Sequence, residues 1–170
     1  MKSLIENFLQ NKNFYLSLVG EHLFITMVAI TIAIIVGVAV GVAISEKRKI
    51  AGIVISIVNV LYTIPSIALL GVLISVTGIG NKTAIIALTL YALLPVVRST
   101  YTGIVNIDEK IVEASEAMGS TKFQTMYKVK LPLAFPVIFS AIRNMVTMTI
   151  ALAGIASFVG AGGLGVAIYR

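Results

Sequence analysis

The chain has 170 residues, of which 58% are hydrophobic and 12% charged, and a mean hydropathy of +1.03, which together exclude an ordinary soluble domain. Its net charge of +6 comes without any basic stripe interleaved with aromatics, so it reads as the Lys and Arg excess that holds loops on the cytoplasmic side of a membrane, not as a nucleic-acid surface. With no cysteine and one histidine, the chain offers no disulfide framework, thiol catalysis or zinc site, and no cofactor is expected.

Residues 1–22 mix Lys2, Glu6 and Lys12 with Leu4, Ile5, Phe8 and Leu9. The pairs Leu4/Phe8 and Ile5/Leu9 have helical spacing, which predicts a short interfacial helix. The first apolar run, Leu23–Ser45, is longer than the core of a signal peptide and ends at Glu46-Lys47-Arg48-Lys49 without a cleavage-like site. At about 1.5 Å per residue it is long enough to span a bilayer. Within it, Gly37-x-x-x-Gly41, extended by Ala33 and Ser45, is a candidate surface for close helix approach.

The second uncharged run, Ile50–Asn81, is too long for one straight span, and Pro65 and Gly71 interrupt it. A helix broken at Thr63–Ser66 is expected, followed by a turn at Gly78, Gly80 and Asn81. A third span begins near Thr83, is punctuated by Pro95, and reaches the interface around Arg98 to Thr102.

The stretch from Asp108 to Pro132 is the longest polar interval after the N-terminus. It holds four of the seven acids, Asp108, Glu109, Glu113 and Glu116, and carries its own helix punctuation. Asn106 or Asp108 can cap a helix start, and Gly119 suits the position after Met118 because glycine accepts the left-handed conformation at little cost. Thr121 followed by Gln124 is a capping box, and Pro132 is tolerated in the first turn of the next span. A short helix, a turn and a second short helix are expected between two membrane segments. Ala114, Ser115 and Ala117 are small enough for close approach to a partner, and Ile111, Ser115 and Met118 fall on one helical face. A fourth span runs from near Leu131 to about Ser157 with Arg143 inside it.

Gly160, Gly162 and Gly165 match the spacing of a dinucleotide fingerprint, but no alternating strand precedes them and no acid comes about twenty residues on. They suit a tight turn or close helix contact instead. A phosphate-cradling GxxxxGK[ST] is absent, so ATP would have to be handled by another chain.

The order Glu113, Ala114, Ser115, then Gly119, then Val129, Leu131 and Pro132 resembles the EAA loop of ABC-importer permeases, with Ser115 in place of the second Ala and Val129 in place of Ile. The likeness extends through Gly160–Gly165 to nearly the whole chain. The wording around Thr63–Ser66, Arg98–Gly103 and Gly162–Gly165 is most similar to permeases for osmoprotectant quaternary amines such as glycine betaine, carnitine and choline. The resemblance implies an all-α integral membrane protein of the type I, MetI-like importer class. Four spans are then expected in residues 23–170, with the family's final span missing from this sequence.

It also implies that the loop 104–131 is a cytoplasmic coupling helix docking on a separate ATPase through Glu113, Ala114, Ser115, Ala117, Gly119, Leu131 and Pro132. The implied partners are two ATPase subunits, a second permease chain and an extracytoplasmic binding protein. The chain itself would be a transport subunit in the cell membrane and no enzyme.

Counting Lys and Arg agrees: three lie at 46–49 and four at 108–130, with only Lys82 in the loop between. Both rich loops are expected inside the cell, and the N-terminus and the glycine-rich end outside.

For the translocation path the residues offer two polar stripes at i, i+3, i+4 and i+7: Asn59, Tyr62, Thr63 and Ser66 around Pro65, and Ser140, Arg143, Asn144 and Thr147. Polar faces at membrane depth turn away from lipid, and a proline break frees carbonyls that a water-filled cavity can satisfy. Interhelical hydrogen bonding without cargo contact is the competing reading for each, and Arg143 can snorkel to the interface. All seven acids lie outside the apolar runs, which disfavours a proton- or sodium-coupled carrier. His22, at the outer edge of the first span, reads as an interfacial residue. The alternatives left open are a permease for another small solute, such as an amino acid, and a small oligomeric channel.

Overall fold

The computed structural model describes residues 9–169, and among these every regular element is helical. The elements are α1 (Lys12–Ser45), α2 (Arg48–Thr63), α3 (Ser66–Thr77), α4 (Asn81–Val105), α5 (Glu109–Ala117) and α6 (Lys122–Thr125). A π turn (Met126–Lys130), α7 (Leu131–Ala153), a 3₁₀ turn (Gly154–Val159) and α8 (Gly165–Tyr169) complete the chain. Among the described residues three helices are long and apolar enough to cross a membrane, and a fourth span results if the broken pair α2 and α3 counts as one.

The first helix starts well before Leu23. Nothing from Lys12 to Glu21 breaks helical backbone, so α1 runs unbroken for 34 residues. The expected pairs involving Leu4, Ile5 and Phe8 lie outside the described residues. At Pro65 the helix does break: Pro65 is extended, with φ −58° and ψ 135°, and helix resumes at Ser66. Asn59, Tyr62 and Thr63 belong to α2 while Ser66 opens α3, so the expected four-residue stripe is not carried by one helix.

The chain divides into two compact units. One is built from residues 9–32, 64–92 and 146–169. Its core is Ile25, Ala29, Leu70, Ala84, Ala87, Leu88, Ala153, Ala156, Val159 and Ala161. So many alanines let backbones approach closely, which is how helices pack where lipid supplies no hydrophobic drive. Several polar groups in this unit are met internally. Gly80 N–H donates to the Val159 carbonyl at 2.8 Å, and the Thr77 and Thr83 hydroxyls pair at 2.6 Å. Tyr91 donates its hydroxyl proton to the Ile64 carbonyl at the proline break, so a side chain serves that carbonyl.

The second unit comprises Ala33–Thr63 and Leu93–Met145. Gly37 and Gly41 are points of close packing in it. A Cβ on Gly37 would lie 2.8 Å from Val96 Cγ1, and one on Gly41 2.5 Å from Thr100 Cβ. The small-residue motif in the first span is therefore a helix contact. One apolar cluster gathers Ile44, Ala51, Val58, Leu94 and Val97; another gathers Ile104, Met126, Ala134 and Ile138, with Leu131 packed against it.

The second arm of the polar interval is not a separate short helix. From Lys122 the helix continues through the π turn into α7, with Leu131 N–H bonding back five residues to Met126. Pro132 supplies no N–H, and its ring would crowd the carbonyl four residues before it. A widened turn just ahead relieves both problems without ending the helix.

Candidate coupling loop and polar cavity

The loop between α4 and α7 is fixed at each end of each helix. Asp108 caps α5, its side chain accepting from Lys110 N–H at 2.9 Å. At the other end the Gly119 N–H reaches the Glu116 carbonyl at 2.9 Å, and the Ser120 N–H reaches the Ser115 carbonyl at 3.2 Å. With Gly119 at φ +87°, these two bonds form the Schellman ending that a left-handed glycine permits. Next comes the reciprocal capping box. Gln124 N–H donates to Thr121 Oγ1 at 3.3 Å, and Thr121 N–H donates to Gln124 Oε1 at 2.9 Å.

Between the two arms, Ser115 and Thr125 meet with their hydroxyl oxygens 3.3 Å apart. Ser115 is 3% exposed and Thr125 1% exposed. The expected common face is thus divided: Ser115 is spent on the loop's own interior, while Ile111 and Met118 face outward, Met118 at 82% exposure. Phe123 and Tyr127 add an outward ring pair with centroids 4.4 Å apart. Glu113, Ala114, Glu116, Ala117 and Gly119 are all exposed, as is Pro132, while Leu131 is half-buried. The loop therefore presents an apolar ridge beside an acidic edge. Lys130 Nζ pairs with Glu46 Oε1 at 2.9 Å, which joins this loop to the other basic loop within the same unit.

The two polar stripes fare differently. Asn59 and Tyr62 line a cavity of about 250 Å³ together with Pro95, Arg98 and Ser99 of α4. Thr63 instead turns its hydroxyl back to the Val60 carbonyl at 2.7 Å, and Pro65 is exposed. Ser66 borders a void of ≈ 10 Å³ beside Leu70, Leu88 and Tyr91, room for a single water at most. Ser140, Arg143, Asn144 and Thr147 sit exposed along α7, outside the lining of the Asn59 cavity.

A second polar cluster, which sequence reasoning missed, forms at the glycine-rich end. Glu21 Oε2 accepts from the Gly163 N–H at 3.2 Å, and Asn81 Oδ1 accepts from the Gly162 N–H at 3.0 Å. His22 is buried among protein groups: it is 5% exposed and its Nε2 lies 3.1 Å from the Ile150 carbonyl oxygen. Gly160 and Gly163 have positive φ, at 67° and 96°, and a Cβ on Gly163 would press on the His22 ring. The glycines make the tight turn and close contact read from their spacing. The only advance signal for their partners was that Glu21 and Asn81 stand at the ends of apolar runs.

A model of the family described as "binding-protein-dependent transport system inner membrane component" matches residues 15–170. The chain belongs to that family. This inner membrane component is 40% identical over 170 residues to the carnitine transport permease protein OpuCD of Listeria monocytogenes, covering all of this chain and 76% of that one. It is also 40% identical to the choline transport system permease protein OpuBD of Bacillus subtilis, covering 75% of that chain. Among solved structures, an inward-facing methionine ABC transporter, MetNI, matches with a TM-score of 0.81 at 31% identity, over 91% of this chain and 78% of that one. The helical MetI-like class and the multi-pass membrane location are thereby established, and with them the role of a permease subunit.

Proposed function

We propose that this permease couples to a separate ATPase through the loop 104–131 and carries a small quaternary amine such as glycine betaine, carnitine or choline. The observation that carries the coupling reading is the exposed ridge of Met118, Phe123 and Tyr127 on a hairpin whose helix ends are capped. An apolar ridge on a rigid support suits docking in a groove, and the acidic edge of Glu113 and Glu116 gives the docking a charge preference. In the full assembly two permease chains work with two ATPases, and an extracytoplasmic binding protein delivers the cargo. ATP-driven closure of the ATPases moves α5, and the spans beside it tilt to alternate access.

On this reading both basic loops are cytoplasmic and the N-terminus lies outside. The Lys130–Glu46 ion pair supports placing the two loops on one side. The cargo assignment rests on the names of the relatives, while the likeness to a methionine transporter keeps an amino acid as the second reading. Copurification of the permease with its ATPase tests the coupling. Glu113→Lys or Gly119→Trp is expected to abolish it without changing membrane insertion. Retention of the ATPase by both variants, or labelling of a Met118→Cys variant from outside intact cells, counts against the reading. Competition for uptake between labelled carnitine and excess choline or methionine separates the cargo classes.

A further inference from the structure

The cavity between α2 and α4 contains a cation without a counter-ion. Arg98 lines it beside Asn59, Tyr62, Pro95 and Ser99, with Val58 and Leu94 as its apolar wall. The residues come from a short stretch of each helix, Val58 to Tyr62 and Leu94 to Ser99, so the polar groups converge on one space. Among the described residues no Asp or Glu lines it. Lys130 has Glu46 as its ion-pair partner, but among the described residues neither the Arg98 guanidinium nor the Asn59 amide has an ion-pair or hydrogen-bond partner.

A guanidinium that lines a cavity holding no acid of its own offers that cavity a fixed positive charge, to which an anionic group is attracted. Arginine presents a planar fork of donors that fits a carboxylate in bidentate fashion. Asn59 and Ser99 can add donors to the same oxygens. A cavity of about 250 Å³ has room for the charged end of a small solute.

We infer that Arg98 is a specificity-determining residue that receives the carboxylate of a zwitterionic cargo in this cavity. The inference rests on the quaternary-amine reading above and goes beyond it, because the three candidate cargoes differ at this atom. Glycine betaine and carnitine carry a carboxylate as well as the ammonium. Choline carries only the ammonium, which Arg98 repels. Removing the positive charge therefore weakens uptake of the carboxylated cargoes and does not weaken that of choline. A purely topological role for Arg98, as one more basic residue at a span's end, predicts no such split. Binding of a phospholipid phosphate predicts dependence on lipid charge instead.

The test uses the permease with its ATPase and binding protein, reconstituted in vesicles of zwitterionic lipid and, separately, with anionic lipid added. Uptake of glycine betaine, carnitine and choline is compared for the native chain, Arg98→Gln and Arg98→Lys. Losing one charge-assisted contact predicts that Arg98→Gln lowers uptake of the two carboxylated cargoes by about tenfold or more. Choline uptake is unchanged or raised, and Arg98→Lys falls between. Arg98 is exposed in the single chain, so the variants are expected to insert normally, as their yield in the membrane and their copurification with the ATPase report. Equal losses for all three cargoes, no loss for any, or a loss present only with anionic lipid each overturn the assignment. A native complex that moves none of the three defeats the quaternary-amine reading as well, so the two failures are distinguishable.

Discussion

Ser115 and Thr125 hold the loop between α4 and α7 together from inside: their hydroxyl oxygens are 3.3 Å apart in a contact that leaves both residues almost fully buried. Three features converge there. The Schellman ending at Gly119 reverses the chain, the capping box at Thr121 restarts it, and the hydroxyl pair closes the angle between the two arms. The ridge that faces outward is therefore braced from within the loop.

Substitutions at Ser115 separate packing from hydrogen bonding. Ser115→Ala removes one neutral hydrogen bond and is expected to cost about 1 kcal/mol or less, leaving ATPase association intact. Ser115→Leu forces extra methylenes between the arms at a cost of roughly 1–3 kcal/mol and is expected to weaken ATPase copurification severely. Thermal unfolding of the purified permease and the yield of bound ATPase are the two readouts. Equal behaviour of Ala and Leu would show that the contact does not set the loop's shape.

Gly119 allows backbone strain and partner contact to be told apart. Its φ is +87°, and a Cβ built there meets nothing within 4 Å. Gly119→Ala therefore costs only the left-handed conformation, about 1–2 kcal/mol, and Gly119→Asn costs less. Nothing inside the chain lies within 4 Å of where the side chain of Gly119→Trp would start, so any loss of ATPase binding beyond that of Ala comes from the partner's surface. Melting curves for the three variants, set beside their copurification, check this.

At the proline break, Tyr91→Phe keeps the ring and removes the donor to the Ile64 carbonyl. A part-buried carbonyl left without its donor costs up to about 1–3 kcal/mol, so a corresponding drop in thermal stability is expected. A neutral Tyr91→Phe would mean that another donor, such as a water, already serves Ile64.

What was legible in the sequence was local. Pro65 broke a helix, Gly119 ended one, and Thr121 with Gln124 began another, because each effect acts within a few residues of its cause. What was not legible depends on pairs far apart in the chain. Tyr91 reaches a carbonyl 27 residues away, and Glu21 an N–H 142 residues away. No periodicity marks such partners. His22 illustrates the same limit: its place at the edge of an apolar run gave no sign that folding sets it against Gly163. At the coupling loop, composition disclosed small residues but not which of them turn inward. Ser115 does, while Ala114 and Ala117 stay outside.

Gly41 tests whether the close approach within the Ala33–Met145 unit is needed. Replacing glycine by alanine in a helix interior is ordinarily favourable by about 1 kcal/mol. At this site the new Cβ meets Thr100 Cβ at 2.5 Å and the Val97 carbonyl oxygen at 3.0 Å. One obstacle is backbone, so α1 and α4 must separate, at a cost of roughly 1–3 kcal/mol. The clash equals or outweighs the propensity, and Gly41→Ala is expected to destabilise by up to about 2 kcal/mol net. Thr100→Gly in the same chain removes the nearer clash and leaves the Val97 contact, so it rescues in part. Gly71, with nothing within 4 Å of its Cβ position, is the control, and Gly71→Ala is expected to be neutral or mildly stabilising. Thermal unfolding of the four proteins decides the matter, because a Gly41→Ala variant as stable as Gly71→Ala would remove the claim that these two helices need a glycine to touch.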